Sequence, residues 1–532
     1  MKRIQGWGNI KTDYPVPEPA RAYLKRVVGK PHQLQNVTIN ELLNRVSSSR
    51  MPPHSLISTE PEERLRHARG QSLNDWVDMY DGLVNTFPDG VAYPETEDEV
   101  RDLIQFARKE KLNLIPYGGG SSVVGHLTPP DDGPPTISID LKKMNKLLSL
   151  NEENHEATLG AGIRGPELEA ELKKHGYVLG HFPQSWEYSS LGGWIVTRSV
   201  GQQSYHYGRI EPLFVNGHLE TPEGPMELPH FPKSAAGPDL RHLVLGSEAR
   251  MGILTQATMR IRRLPEQELF YAAFFPNFET GVTAVRKIAQ SELAVSMVRL
   301  SDAMETETTF QLSGEEKLVK LAKKGLNLFG QGDDRCMLLY GLTGTKAENR
   351  LADRQLAHFV RSHQGMMVKF YLGEAWMKKR FLTPYLRNTL WDLGYALDTL
   401  ETSLPWEKIL EGRKAVVNAI SSAIEDENEV VLVFSHISHV YTNGGSMYVT
   451  YLFRRAQDPQ QTLARWQKMK SAASNVITAM GGTISHQHGV GLDHKPYLHF
   501  EKDPLGMQII KNSIKTVDPD QIMNSGKLID LD

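Results

Sequence analysis

Val100, Leu103, Ile104 and Ala107 recur at three- and four-residue intervals, the period of an amphipathic helix. Just ahead of them Thr96 and Glu99 stand three apart, the spacing of a capping box. A helix over 97–110 is predicted, preceded by a strand-like VAYP and followed by LNLIPY, a short apolar strand that runs into PYGGGSS. Strand, helix, strand and glycine loop in succession is α/β construction. TISIDL at 136–141 and ATLGAGI at 157–163 predict further strands, and 166–175 a helix with Pro166 in its first turn.

Two more glycine-rich segments follow, SWEYSSLGGWIVTRSVG at 185–201 and GPDLRHLVLGSEARMGILTQATMRI at 237–261, the second ending in alternating strand texture. Beyond Arg263 the glycines thin out. Apolar strands such as FYAAFF then alternate with helical stretches such as 280–290. The organisation expected is an N-terminal helical segment 1–84, a glycine-bearing domain 85–265, a second domain 266–480, and a C-terminal segment 481–532. The last opens on HQHGVG and is expected to pack back on the first domain. A chain of 532 residues allows two to four domains at about 150 residues each.

Charge and composition narrow the function classes. Sixty Lys and Arg against 63 Asp and Glu give a net charge of −3, so no nucleic-acid partner is expected. A single cysteine, Cys336, excludes an intramolecular disulfide framework and a cysteine-built metal site, and suits a reducing compartment. No apolar run reaches signal-peptide or membrane-spanning length, and KLIDLD is no peroxisomal tripeptide. A cytoplasmic protein is expected.

PYGGGSS supplies three residues without a Cβ and two hydroxyls after a strand, as a loop against a pyrophosphate needs. Alone it would equally serve a tight turn. It is neither a spaced Rossmann fingerprint nor a P-loop. In the order PYGGGSS, SSLGGWIVTRS, GSEARMGILT, however, the three segments resemble the FAD-binding domain shared by vanillyl-alcohol oxidase, the D-lactate and glycolate dehydrogenases and alkyl-dihydroxyacetone-phosphate synthase. The resemblance implies an α+β protein, with a two-subdomain PCMH-type FAD-binding domain and an α/β cap domain bearing an antiparallel sheet. It also implies FAD as cofactor. Pro116, Gly118, Gly119, Gly120, Ser121 and Ser122 would cradle the pyrophosphate. Ser190, Gly192, Gly193 and Thr197 would border the flavin, and Glu248, Gly252 and Ile253 would lie along the adenosine half. The third segment departs from the usual G-S-E-G-T-L-G at Ala249 and Arg250. No histidine adjoins the glycines, so non-covalent FAD is expected, with His126 the nearest reservation.

Beyond the cofactor domain, GWGN at 6–9, RHARGQSL at 66–73, MVRLSD at 297–302, DTLETSLPW at 398–406 and GGTISHQHGVG at 481–491 look like the synthase family. Carried over by position, Arg387 matches the arginine that binds substrate phosphate, a task that suits a planar guanidinium fork. Arg299 matches an arginine near the active site, though a buried pair with an acidic neighbour is an equal reading. Tyr448 matches the active-site tyrosine, with Tyr441 nearby. His486, Gln487 and His488 stand where synthases carry three histidines, and an amide in the middle cannot act as a base. With His436 and His439 the histidines invite a metal, but the amide is a poor substitute for a carboxylate ligand and no metal is expected.

The resemblance thus implies an FAD-dependent transferase. It would exchange the acyl chain of acyl-dihydroxyacetone phosphate for a fatty alcohol through a flavin N5 adduct, as in ether lipid synthesis. Tyr448, His486, Gln487 and His488 would form the catalytic group, and Arg387 and Arg299 would bind substrate. The alternative is an FAD-linked oxidoreductase acting on a D-2-hydroxy acid such as lactate or glycolate, or on a polyol phosphate. A small-molecule or lipid phosphate substrate, a homodimer and peripheral membrane contact are expected.

Overall fold

In the computed structural model, which describes residues 1–531, the helix that follows the capping pair runs Glu97–Glu110. The Thr96 hydroxyl accepts the Glu99 N–H at 3.2 Å and the Glu99 carboxylate accepts the Thr96 N–H at 3.3 Å. Its Val100, Leu103, Ile104 and Ala107 are buried. They pack in a core shared by two sheets.

The first sheet holds β1 (Ile57–Ser58), β2 (Gly90–Ala92), β3 (Asn113–Tyr117) and β4 (Thr136–Asp140), in the order β1-β2-β4-β3. β2 and β3 run parallel to β4. The second sheet is antiparallel: β5 (Leu147–Asn151), β6 (Glu156–Gly160), β7 (Phe214–Thr221), β8 (Gly224–Glu227) and β9 (Ile253–Arg260), in the order β5-β6-β9-β7-β8. The strand expected over 157–163 ends at Gly160. Past it the chain crowds the Leu141 carbonyl, which a Cβ on Gly162 would approach to 1.7 Å.

A seven-stranded antiparallel sheet forms the second half. Its strands are β10 (Gln267–Phe275), β11 (Met297–Ser301), β12 (Cys336–Gly344), β13 (Met366–Val368), β14 (Tyr395–Pro405), β15 (Leu432–Tyr441) and β16 (Gly444–Arg454). They lie in the order β13-β10-β12-β11-β15-β16-β14. Alternation sorts each strand to two faces. Ala273, Phe275, Leu338 and Tyr340 join the Phe278–Gln290 and Lys346–Ser362 helices in one core. Phe274, Met297, Met337 and Leu339 point the other way, into a second core with Phe310 and Leu326.

The terminal segments do not stand apart. Trp7 N–H donates to Asn388 Oδ1 at 2.8 Å while Asn388 Nδ2 donates to the Trp7 carbonyl at 2.9 Å. Trp76 and Tyr80 of the Leu73–Asp81 helix share a core with Trp466 and Met469 of the Pro459–Ala479 helix. At the other end, Leu114 N–H donates to the Ile522 carbonyl and Asn524 N–H to the Leu114 carbonyl, both at 2.8 Å. Residues 522–524 thus lie along the edge of the first sheet. No helix among the described residues is long and apolar enough to cross a membrane.

Candidate active site

A cavity of about 1230 Å³ lies between the two halves. Pro116, Gly118–Ser122, Ser190, Gly192, Gly193, Thr197, Glu248 and Ile253 line it from one side. Arg299, Arg387, Tyr448, Gln487 and His488 line it from the other. Two of the sequence-derived residues do not reach it. Gly252 turns at φ +130° against the Glu220 carbonyl, and His486 lies behind the loop that carries it.

The glycine loop is shaped for an anion. Among the described residues no acceptor takes the backbone N–H groups of residues 119–122. A Cβ on Gly119 would come to 1.7 Å from the Tyr188 carbonyl, and Gly120 is left-handed at φ +65°. Free, clustered N–H groups on backbone too crowded for a side chain fit a diphosphate. The same loop, together with the residues at 190–197, fits FAD.

Glu248 does more than line the wall. Its carboxylate accepts the N–H groups of Val490 and of Gly491 (2.9 Å for Gly491) and meets His126 Nε2 at 2.9 Å. His126 Nδ1 lies 2.7 Å from Ser122 Oγ. One acid thereby ties the first glycine loop to the histidine loop. Glu248 and Ala249 sit at φ +52° and +63°, where a side chain costs roughly 1–3 kcal/mol. That explains why glycine usually stands at 249. Arg250, buried in place of the usual threonine, donates to the Met523 carbonyl at 2.9 Å and holds the C-terminal segment down.

On the far wall Arg387 stacks on Trp76, its guanidinium carbon 4.2 Å from the ring centre. Nη1 donates to the Gln71 carbonyl at 2.6 Å, while Nε and Nη2 have no hydrogen-bond partner. Burial lowers its pKa, opposed by Asp398 and Asp75. Two donors thus remain for a ligand. Arg299 is less free, since Nη2 donates to Glu305 at 2.7 Å and also meets His436 Nδ1 at 3.2 Å. Burial pushes the Glu305 carboxyl up, but His436 and Arg299 outweigh it and hold it near 2. Arg299 is therefore half of a charge pair at the cavity wall, with its buried Nε unpartnered.

Tyr448 stands in β16 opposite Glu401 of β14 on one side and His436 of β15 on the other. The His436 ring stacks on it at 5.0 Å, and its hydroxyl donates to Thr399 Oγ1 at 3.0 Å. Burial raises its pKa far above the ordinary phenol value. At neutral pH it is a proton donor, not a base.

Glu401 escaped the sequence reading. It is fully buried, and its Oε1 accepts the backbone N–H groups of Gln487 at 2.6 Å and His488 at 2.9 Å. His488 Nδ1 lies 3.5 Å from the same oxygen, and its ring meets Tyr448 edge-on at 5.8 Å. His486 points away. Its Nε2 accepts from Arg209 Nη1 at 2.8 Å and lies 2.6 Å from the Tyr441 hydroxyl, with the ring stacked on His439. Burial, then His439 and Arg209, drive its pKa well below the ordinary imidazole value. Burial and Arg209 likewise push His439 down to about 3. The four histidines do not converge as metal ligands. Among the described residues the group with ligand atoms close enough to share an ion is Glu97, His218 and Glu220, and there Arg101 already pairs with Glu220.

Past Arg299 the cavity becomes apolar, between Met297, Phe310, Leu326, Met337, Leu339 and Met366. At its rim the Glu316–Leu328 helix exposes Leu321 (68%) and Leu328 (86%), beside Phe329 (67%), among exposed Lys317, Lys320 and Lys324.

Comparison with known proteins agrees with this geometry. Residues 88–226 match the family described as FAD binding domain, and residues 264–528 match FAD linked oxidases, C-terminal domain. An alkyldihydroxyacetonephosphate synthase of Dictyostelium discoideum is 33% identical over 88% of this chain and 77% of its own. That of Caenorhabditis elegans is 30% identical over 89% of this chain and 81% of its own. A solved alkyldihydroxyacetonephosphate synthase superposes with a TM-score of 0.84 at 26% identity, covering 98% of each chain.

Proposed function

Since the chain belongs to the alkyldihydroxyacetonephosphate synthase family, we propose that it exchanges the acyl chain of acyl-dihydroxyacetone phosphate for a fatty alcohol. The observation that carries this reading is one continuous cavity with three linings. It joins an anion cradle on glycine backbone, an arginine with two unused donors, and an arm of apolar side chains. A small hydroxy acid would leave that arm empty. When bound, FAD supplies a nucleophilic ring nitrogen for the exchange, without net oxidation. The cofactor is read as held non-covalently: His126, the histidine nearest the glycine loop, has its Nδ1 taken by Ser122 Oγ and its Nε2 turned toward the Glu248 carboxylate.

The chain's own residues bind, orient and move protons. Arg387, held flat on Trp76, directs Nε and Nη2 at the substrate phosphate as a pre-set fork. Tyr448, protonated at neutral pH, turns its hydroxyl from Thr399 Oγ1 to donate a hydrogen bond to oxygen at the reacting centre. His488, held at its backbone by Glu401 and with Nδ1 facing the same carboxylate, is the base that takes and returns the proton. His486, neutral and clamped by Arg209, supports the loop. The acyl or alkyl chain lies along the apolar arm, away from water.

The reading is tested without oxygen and without an electron acceptor. Supplied with acyl-dihydroxyacetone phosphate and a fatty alcohol, the protein should release fatty acid and form the ether product. Arg387→Ala should raise the KM for the phosphate ester about ten- to a hundred-fold, the value of a charge-assisted contact, and leave flavin content alone. Flavin reduction by D-lactate, glycolate or a glycerol phosphate, with no response to the acyl ester, would sink the assignment. The leucines and lysines at the rim fit a lipid surface. Wild-type protein should pellet with phosphatidylcholine vesicles, and Leu321→Glu combined with Phe329→Glu should stay in solution. Protein that never pellets would remove this part of the reading.

A further inference from the structure

Behind the glycine loop, on the side away from the cavity, lies a cation that the mechanism above does not use. Residues 1–10 fold into a tight clasp closed by a bridge between Lys2 and Asn9. Asn388 holds it at Trp7, whose ring meets Tyr188 edge-on at 5.6 Å. The clasp delivers Lys2 to the back of the loop. Its Nζ donates to the Gly119 carbonyl at 2.6 Å and to the Tyr117 hydroxyl at 3.1 Å, and lies 5.5 and 5.9 Å from the Tyr117 and Tyr188 ring centres. Among the described residues no carboxylate oxygen lies within ion-pairing distance of it. The charged groups around it are Arg164, Arg66 and Asp140, and Asp140 already meets His67 at 3.1 Å.

Two consequences follow from elementary chemistry. The Gly119 carbonyl and the Gly120 N–H belong to one planar peptide and point in opposite directions. An ammonium that fixes the carbonyl backwards therefore fixes the N–H forwards, into the cradle, where that N–H has no protein acceptor. Second, a half-buried cation whose ammonium has no carboxylate partner is unfavourable unless an anion arrives to compensate it. Positive neighbours outnumber the one acid here, so the excess field faces the four free N–H groups.

We propose that Lys2 is a cofactor-positioning residue, which orients the Gly119–Gly120 peptide from behind and supplies the positive charge that the diphosphate of FAD meets. The inference rests on FAD occupying this cavity and adds a residue that reaches the back of the loop and does not line the cavity. Burial, then Arg164, lowers the Lys2 pKa to about 8, with Asp140 acting the other way. The protonated amine is the form that favours the anion, so affinity should fall as pH rises through that value.

The test reads binding, not turnover. Apo-protein, stripped of flavin, is titrated with FAD by flavin fluorescence. Lys2→Met should weaken the Kd about tenfold or more at neutral pH, with the melting temperature of the apo-protein unchanged. Lys2→Arg, which keeps the charge, should restore most of the affinity. Wild-type affinity should drop about tenfold between pH 7 and about pH 9.5, while Lys2→Met should show no such fall. An unchanged Kd in Lys2→Met, or a flat wild-type profile, overturns the proposal and leaves FAD binding itself intact. Should Lys2→Met fail to fold, the wild-type profile decides alone. Absence of FAD binding in wild type would instead overturn the cofactor assignment beneath it.

Discussion

Gly119→Val is expected to give folded protein that carries almost no FAD. The position admits no side chain, because its Cβ would meet the Tyr188 backbone carbonyl at 1.7 Å. A carbonyl held in a turn cannot swing aside as a flexible side chain could. Relief requires the loop to move away from residues 188–190, and that movement takes the N–H groups of 119–122 out of register with one another. A diphosphate bound by several backbone donors loses them together, so the loss should be near complete and not graded. Flavin absorbance relative to protein absorbance measures it, and unfolding by circular dichroism checks that the rest of the chain still folds. The effect should be local, because the core under the first sheet is built from Ile137, Ile139, Leu114 and the Glu97–Glu110 helix, not from the loop. Full occupancy in this variant would show the triple glycine to be no more than a turn.

What the sequence disclosed, it disclosed where the determinants are local. The Glu97–Glu110 helix could be placed because its cap and its apolar stripe lie within fifteen positions of each other. The three glycine segments could be aligned with a cofactor because backbone that must do without Cβ leaves an unmistakable composition. Long-range partners were another matter. Glu401 reads as one more residue of a strand, and only the folded chain brings it under the histidine loop, 86 positions away from Gln487. Nothing in H-Q-H says that its outer members face opposite ways. Arg209 and Tyr441 decide this by holding His486 back. Residues 1–84 look like a separate segment because their partners, Asn388 and Trp466 among them, lie far along the chain. Lys2 is silent for the same reason.

His488→Ala is expected to lower turnover with acyl-dihydroxyacetone phosphate by about a hundred- to ten-thousand-fold, the range for loss of a positioned base. The KM for the ester should hardly change, since Arg387 and the apolar arm do the binding. The alternatives within reach are few. Gln487 lines the cavity but its amide cannot accept a proton at neutral pH. Tyr448 and His439 are biased the wrong way, the phenol toward staying protonated and the imidazole toward staying neutral. His486 spends Nε2 on Arg209 and does not reach the cavity. Glu401→Gln should also lower turnover, by less, because the amide oxygen can still accept one loop N–H while the negative charge facing His488 Nδ1 is gone. Its loss should fall on kcat and not on KM, which separates a group acting through His488 from one that merely shapes the cavity. Gln487→His places an imidazole on the cavity wall next to position 488, so combined with His488→Ala it should recover part of the lost turnover. Undiminished exchange in His488→Ala, with the flavin retained, would remove the histidine loop from the chemistry and leave Tyr448 to account for the proton.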